Sequence, residues 1–453
     1  EVEHLSEIIA PAIRLERRLQ AAAADASEGL PPEGGVPSAL PTTDSAGVRG
    51  LLEIPQLLPV LTKARQLAAA AHDQLSPAVA EQLHGRELTT SVSALENFAA
   101  CPFKFFISHG LRAAERKEFE LDARERGSFQ HEVLTIFHNE VRSENRNWRD
   151  LTPEHARGRV RRIGENLLTQ YRQGLITSDA ARRFAGQQLL DALETLISVL
   201  VGWARDYQFD PLLVETGFGL GSNSPWPAWK LDLADGHALR LRGRIDRVDV
   251  WRDPATGAAL AVVVDYKSST RKPDDVKLYH GLQLQLPAYL AALEQLPEVR
   301  ATLNAASLAP AGVFYVNLRG EFASEKIRSE ALAEIESTER RSFQHAGRFD
   351  ETFYDRLDAR GTKEQFKTHH TARNKMAPTA FRDLLNRAVV NLRRFGQEIY
   401  SGTVAPAPFR KGHETACTFC DYAAICRFDP WTQPFRTLSK PPARTQDELK
   451  PSA

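Results

Sequence analysis

Three of the four cysteines in this 453-residue chain crowd together as Cys417-x2-Cys420-x5-Cys426, and the fourth, Cys101, lies far upstream. Four cysteines are too few for a disulfide framework in a chain of this length, and a clustered set is the pattern of metal ligation. A clasp of this kind ties together residues far apart in sequence, so what lies between its jaws has to be read with it. Four thiolates suit Zn2+ as well as an iron–sulfur cluster, and spacing alone does not choose between them.

Between the jaws runs Gly243-Arg244-Ile245-Asp246-Arg247-Val248-Asp249, followed by Val262-Val263-Val264-Asp265-Tyr266-Lys267. Side chains alternate along a strand, so Asp265 and Lys267 share one face at the end of a strand whose earlier residues are too apolar to welcome charge. A hairpin centred near Gly257 would set Asp246 opposite roughly Lys267, so that all three groups converge. Two carboxylates this close repel unless a cation sits between them, and oxygen ligands select hard ions such as Mg2+ or Mn2+. The ordinary alternative is a surface hairpin with an Asp–Lys salt bridge; the upstream glycine and the apolar Val262-Val263-Val264 run count against it. Gln285 and Tyr289, four apart, fall on one face of a helix and can hold a phosphate or the lysine. His131, read as standing at the start of its helix four residues after Gly127, offers an imidazole to the same metal.

Hydrophobic residues at 42% and charged residues at 26% fit a globular protein, and the length allows one large domain plus helical additions. No run approaches the ~18 apolar residues of a membrane span, the nearest being Leu189 to Trp203, and no signal-peptide pattern opens the chain. No membrane association and a cytoplasmic location are therefore expected. The 58 basic and 58 acidic residues cancel, so binding to nucleic acid needs a local patch. Candidates are Arg157, Arg159, Arg161, Arg162 and Arg172, then Arg387, Arg393, Arg394, Arg410 and Lys411. No phosphate-loop motif argues for ATP. The opening on Glu1, in helix-like sequence, reads as a piece of something longer.

Along the chain, residues 1–89 read as a helical segment with a Pro- and Gly-rich linker near 30–47 and a second helix over Pro55 to Leu83. Ser93 is expected to cap a short helix that delivers Cys101, with Glu96 as its capping-box partner. Residues 126–141 and two stretches within 151–207 are helical by apolar spacing. The period then changes. Strands are expected at Leu212–Leu220, Leu239–Trp251 and Ala258–Lys267, with a turn at Asp253–Gly257. A helix over Leu282–Leu296 and a strand over Ala311–Leu318 follow, completing an α/β core. Residues 321–375 are polar and weakly periodic, Pro378–Gly402 is a long amphipathic helix, and 431–453 is expected to be a disordered tail.

The order Gly127-x3-His131, Gly243-x2-Asp246, Asp265-x-Lys267, Gln285-x3-Tyr289 inside a four-cysteine clasp resembles the RecB-like branch of the PD-(D/E)XK nuclease superfamily. More narrowly, over residues 90–430, it is similar to the nuclease region of the AddB family of helicase-nuclease subunits. The resemblance implies a restriction-endonuclease-like mixed central sheet flanked by helices, with additional helical segments. It implies a 4Fe-4S cluster on Cys101, Cys417, Cys420 and Cys426, and Mg2+ (or Mn2+) on His131, Asp246, Asp265 and the backbone carbonyl of Tyr266. Lys267 would be the catalytic lysine, with Gln285 and Tyr289 in support, and Glu215 corresponds to the acidic residue that many members carry on the first core strand. DNA is the implied substrate and an AddA-like helicase-nuclease the implied partner, in recombinational repair of double-strand breaks. The family places helicase-like domains before the nuclease; only some 90 residues precede Cys101 here, so that scaffold is expected to be missing. Two other readings fit the same residues: a stand-alone exonuclease like the CRISPR-associated RecB-like enzymes, and an inactive DNA- or partner-binding module. The intact Asp246, Asp265 and Lys267 count against the last.

Overall fold

The computed structural model describes residues 74–114, 122–221, 224–319, 340–357, 375–426, 428–430 and 433–442. The helices and linker expected before residue 74, most of the polar stretch 321–375 and the last eleven residues lie outside them. The described residues open with helix α1 (Pro77–His84), strand β1 (Glu87–Ser91), α2 (Val92–Ala100) and the short α3 (Pro102–Phe105). Three long helices follow: α4 (Ala123–Ser143), α5 (Pro153–Gln170) and α6 (Ala180–Ala204). Then come β2 (Asp210–Phe218), β3 (Trp229–Asp232), β4 (Ala238–Arg252) and β5 (Ala259–Lys267). The crossover α7 (Asp275–His280), α8 (Gln285–Gln295) and α9 (Pro297–Thr302) leads to β6 (Leu308–Asn317), β7 (Ala346–Asp350) and β8 (Lys375–Met376). Helix α10 (Pro378–Tyr400), strands β9 (Phe409–Lys411) and β10 (Glu414–Thr415), α11 (Ala423–Cys426) and β11 (Arg436–Thr437) complete it.

One mixed sheet runs β1-β4-β5-β6-β7-β8, with β2 and β3 both pairing to β4. Strand β4 is long enough to serve two neighbourhoods: its first half pairs with β1 and β3, its second with β2 and β5. Strand β5 is buried on both faces, as its Val262-Val263-Val264 run requires, and divides two cores. Ala259, Ala261 and Val263 face α2, α8 and α10, whereas Leu260, Val262, Val264 and Tyr266 face α4, α5 and α6. The expected three-strand meander, helix and strand are all present as an α/β core. Helix α6 is long and apolar enough to cross a membrane by length and composition, its best 18-residue window holding no more than two charged residues. Half of that window is buried here, with Leu189, Leu193, Leu196, Ile197 and Leu200 in the second core.

Several local expectations are corrected. Ser91, not Ser93, caps α2, its hydroxyl accepting from the Ala94 amide at 3.1 Å, because Thr89 to Ser91 are drawn into pairing with β4. Helix α4 begins at Ala123 under an Asp122 cap, so His131 sits in its interior rather than at its start. The β4–β5 register pairs Arg247 with Val264, which sets Asp246 level with Asp265 rather than with Lys267. The turn explains the slip of two: Asp253 accepts from Ala255 at 2.9 Å and Gly257 takes φ +68° at its far edge, so the hairpin is centred ahead of Gly257. Residues 433–442, expected to be part of a loose tail, include β11, which pairs with β9, and the buried Leu438.

Candidate active site

At the end of β5 the sheet presents a row of acids. Asp265 is level with Asp246 on β4, and the β2–β4 register, Val214 with Arg247 and Thr216 with Ile245, sets Glu215 level with Asp246 on the other side. Like charges directly opposite on neighbouring strands repel, so such a row needs positive charge among it. Glu215 also holds φ +49°, a left-handed backbone that a non-glycine residue rarely takes in a strand. Strain of that kind persists where the surroundings enforce it and collects at working sites.

Helix α4 brings His131 to this row. Its Nδ1 lies 2.6 Å from Glu215 Oε1 and 3.8 Å from Asp246 Oδ1. His131, Glu215 and Asp246 offer ligand atoms all within 4.8 Å of one another. Burial alone would drive the imidazole pKa down, but the Glu215 hydrogen bond and the charges of Asp246, Glu215 and Asp265 outweigh it and hold it at about 9. Burial and the neighbouring Asp265 charge push Asp246 well above the usual carboxylate range. The donor set of carboxylates plus one imidazole fits a hard divalent ion. Asp246 is steadied from behind by the Tyr266 amide, which donates to its Oδ2 at 2.8 Å.

Lys267 extends into the same space. Its ammonium lies 2.6 Å from Asp265 Oδ2 and donates to Gln285 Oε1 at 3.2 Å. Gln285 opens α8 and Tyr289 stands one turn on, so the expected shared face is observed. Tyr289 is buried, and a Cβ at Gly243 would meet its phenol oxygen at 2.9 Å, which is why the residue three before Asp246 has to be glycine. The Tyr289 phenol is pushed up by burial and by Asp265 and Asp246. His131, Glu215, Asp246, Asp265, Lys267 and Gln285 line a cleft of about 700 Å³, bounded also by Arg124, Arg172 and Arg244.

Of the acidic-site candidates read from sequence, Tyr289 is buried and does not line the cleft, whereas His131, Glu215, Asp246, Asp265, Tyr266, Lys267 and Gln285 meet in it. The arginine candidates do not. Arg157, Arg159, Arg161 and Arg162 pair with Glu194, Glu144, Asp191 and Glu140, which makes them struts between α5 and its neighbouring helices rather than a binding patch. Arg394 pairs with Glu398 and Lys411 with Asp274, while Arg387 covers Tyr279 and Arg410 covers Phe435. Of the arginines singled out from sequence, Arg172 lines the cleft. Arg124 and Arg244 also line it; Arg124 is interspersed with Asp122 and Glu125, and Arg244 lies within the Gly243-x2-Asp246 motif, so neither stands out as part of a basic run. Glu96 was misassigned: it accepts the amides of Leu284 and Gln285 at 2.6 and 2.9 Å and caps α8, not its own helix.

The four cysteines gather at the edge of the first core. Cys101 is buried where α2 ends, and the Cys417 and Cys426 thiols are raised by burial and then by the charges of Cys101 and Cys420, which places the four sulfurs near one another. Burial is the largest cause for Cys101, opposed by the amides of Lys104, Phe103 and Ala407 hydrogen-bonding to its sulfur. Backbone donors aimed at a buried sulfur favour the thiolate, the form that binds metal.

The model of the PD-(D/E)XK nuclease superfamily matches residues 89–427. Over 375 residues, 79% of this chain, it is 33% identical to a protein of Moorella thermoacetica named as a subunit of an ATP-dependent helicase/deoxyribonuclease. The proteins of the same name from Symbiobacterium thermophilum and Desulforamulus reducens are 33% and 31% identical over 80% and 79% of it. In each case the match covers 31% of the relative, so the chain spans about a third of the length of these proteins.

Proposed function

The chain belongs to the PD-(D/E)XK nuclease superfamily, and from that premise we propose that it is a Mg2+-dependent deoxyribonuclease, hydrolysing phosphodiesters of a single DNA strand within an AddAB-type helicase-nuclease that prepares double-strand breaks for recombination. The observation that carries this reading is the row Glu215, Asp246 and Asp265 facing His131 and Lys267 in one open cleft. The relatives, named as subunits of an ATP-dependent helicase/deoxyribonuclease, support the setting and an AddA-like partner.

Asp246, Asp265, His131 and the Tyr266 carbonyl would hold the ion, with Glu215 against His131. Such an ion supplies Lewis acidity and makes a bound water nucleophilic near neutral pH. Lys267, fixed between Asp265 and Gln285, orients that water and neutralises charge that builds on the phosphoryl oxygens. Gln285 keeps the lysine in place from α8, and Tyr289 hydrogen-bonds to Gln285 from behind. Arg124, Arg172 and Arg244 grip flanking phosphates from the rim, as arginines do.

For the clasp we take a 4Fe-4S cluster on Cys101, Cys417, Cys420 and Cys426, a set of four thiolates being the donor set of such a cluster. Such a cluster would serve as a structural tie.

The decisive experiment compares wild type with Asp265→Ala on a labelled single-stranded oligonucleotide with Mg2+. Wild type cleaves and the variant falls to background, with unchanged circular dichroism and iron content. Wild-type protein that binds DNA without cutting it would favour the silent binding module instead.

A further inference from the structure

Helix α8 carries Gln285 to the cleft but has no capping side chain of its own, its first residue following Leu284 without an Asp, Asn, Ser or Thr. The cap comes from Glu96, distant in sequence, whose Oε1 takes the Leu284 and Gln285 amides. Glu96 sits in the middle of α2, and the residue that ends α2 is Cys101, whose own amide bonds to Asn97 at 2.9 Å. Five residues at 1.5 Å each put the cysteine and the cap about 7.5 Å apart along one helix. That helix does not flex easily: Val92, Ala94, Leu95, Phe98 and Ala99 are all buried, and Phe98 packs on Phe105 and Phe395. Its last turn is held from the other jaw as well, by Arg436 donating to the Ala99 carbonyl.

From this continuous path we infer that Glu96 is a positioning residue that couples the cysteine clasp to the active-site lysine. The clasp fixes α2 through Cys101, α2 fixes Glu96, Glu96 fixes the first turn of α8, and Gln285 in that turn holds Lys267. The inference rests on the proposed role of Lys267, yet its central link is structural and is read without any cleavage assay.

Amide hydrogen exchange on the full chain tests it. In wild type the Leu284 and Gln285 amides are protected. Glu96→Ala speeds their exchange at least tenfold while α6 is unchanged, and Glu96→Gln, which keeps an accepting oxygen, restores most of the protection. Cys426→Ser, which leaves every group in the path intact but opens the clasp, speeds exchange at the same two amides. Exchange there that ignores Cys426→Ser overturns the coupling, and exchange that ignores Glu96→Ala overturns the cap. In the cleavage assay, Glu96→Ala lowers kcat at least tenfold with KM within about twofold. Equal effects of Glu96→Ala and Glu96→Gln on Tm alone, with kcat preserved, would reduce Glu96 to a packing residue. If wild type does not cleave, the exchange result still stands or falls by itself, so the two readings fail separately.

Discussion

His138 shows what burial does to a single titratable group in this molecule. It lies one face away from the cleft, 3% exposed, with its ring edge-on to Trp148. Burial is the main cause that depresses its pKa, and the charges of Arg142 and Arg247 add to it; a backbone hydrogen bond at Leu212 recovers only part, leaving about 4 against an ordinary 6.5. Above pH 6.5 the ring is neutral folded or unfolded, and pH has no leverage through it. Between 6.5 and 4 the unfolded chain binds a proton that the folded one refuses, so stability falls as pH falls and levels off below about 4. The full loss is on the order of 3 kcal/mol. Thermal midpoints from pH 7.5 to 4.5 should drop more steeply for wild type than for His138→Phe; parallel curves would show that His138 charges in place. His131, on the same helix, moves the other way, because three carboxylates face it while cations face His138. The sequence marks both only as histidines on one helix, so which neighbours meet each ring was not legible from it.

Among the elements, β4 carries the most. One strand holds Gly243 against Tyr289, Asp246 in the cleft, and on its opposite face the pair Arg247 and Asp249, which are 2% and 0% exposed. That pair is joined at 2.8 and 2.9 Å, and Arg247 also donates to the Tyr266 phenol at 2.7 Å and lies over Trp148. Removing one partner leaves a buried charge unmatched, so Asp249→Ala should cost about 3–5 kcal/mol, whereas Arg247→Met with Asp249→Leu should regain most of it. Denaturant unfolding of the single and double variants measures this, and a double variant no better than the single would refute it. The alternation of Gly-Arg-Ile-Asp-Arg-Val-Asp made β4 legible, as the apolar run did β5, because both patterns follow from the pleat. The register between them was legible only in parity: the two carboxylates were placed on the correct face, but the turn's own hydrogen bonds decided which pair stands opposite. Strand β7 was not legible at all. All five of its residues are buried although Arg348 and Asp350 are charged, and Arg348 is satisfied by Asp275 on α7, a contact that no local pattern announces.

The molecule as a whole is two half-shells on one sheet, and the cysteines belong to only one of them. Phe98 and Ala99 before Cys101, and Phe409 on β9 and Leu438 just after β11, around the other three, all pack in the core shared with α8 and α10. The α4, α5 and α6 layer, which supplies His131, has its own core of Phe129, Phe137, Leu193 and Ile197. Metal lost from the clasp should therefore loosen the α8 half and spare the helical layer, since binding energy at a metal site is folding energy for the elements it joins. With a 4Fe-4S cluster the purified protein is brown, absorbing broadly near ~400 nm. Cys420→Ser should bleach that band, lower the thermal midpoint, and admit protease first between residues 403 and 442. A colourless wild type with one zinc per chain would overturn the cluster assignment. Cleavage starting within α5 or α6 would instead show that the clasp holds both halves, and His131 would then depend on it as much as Lys267 does.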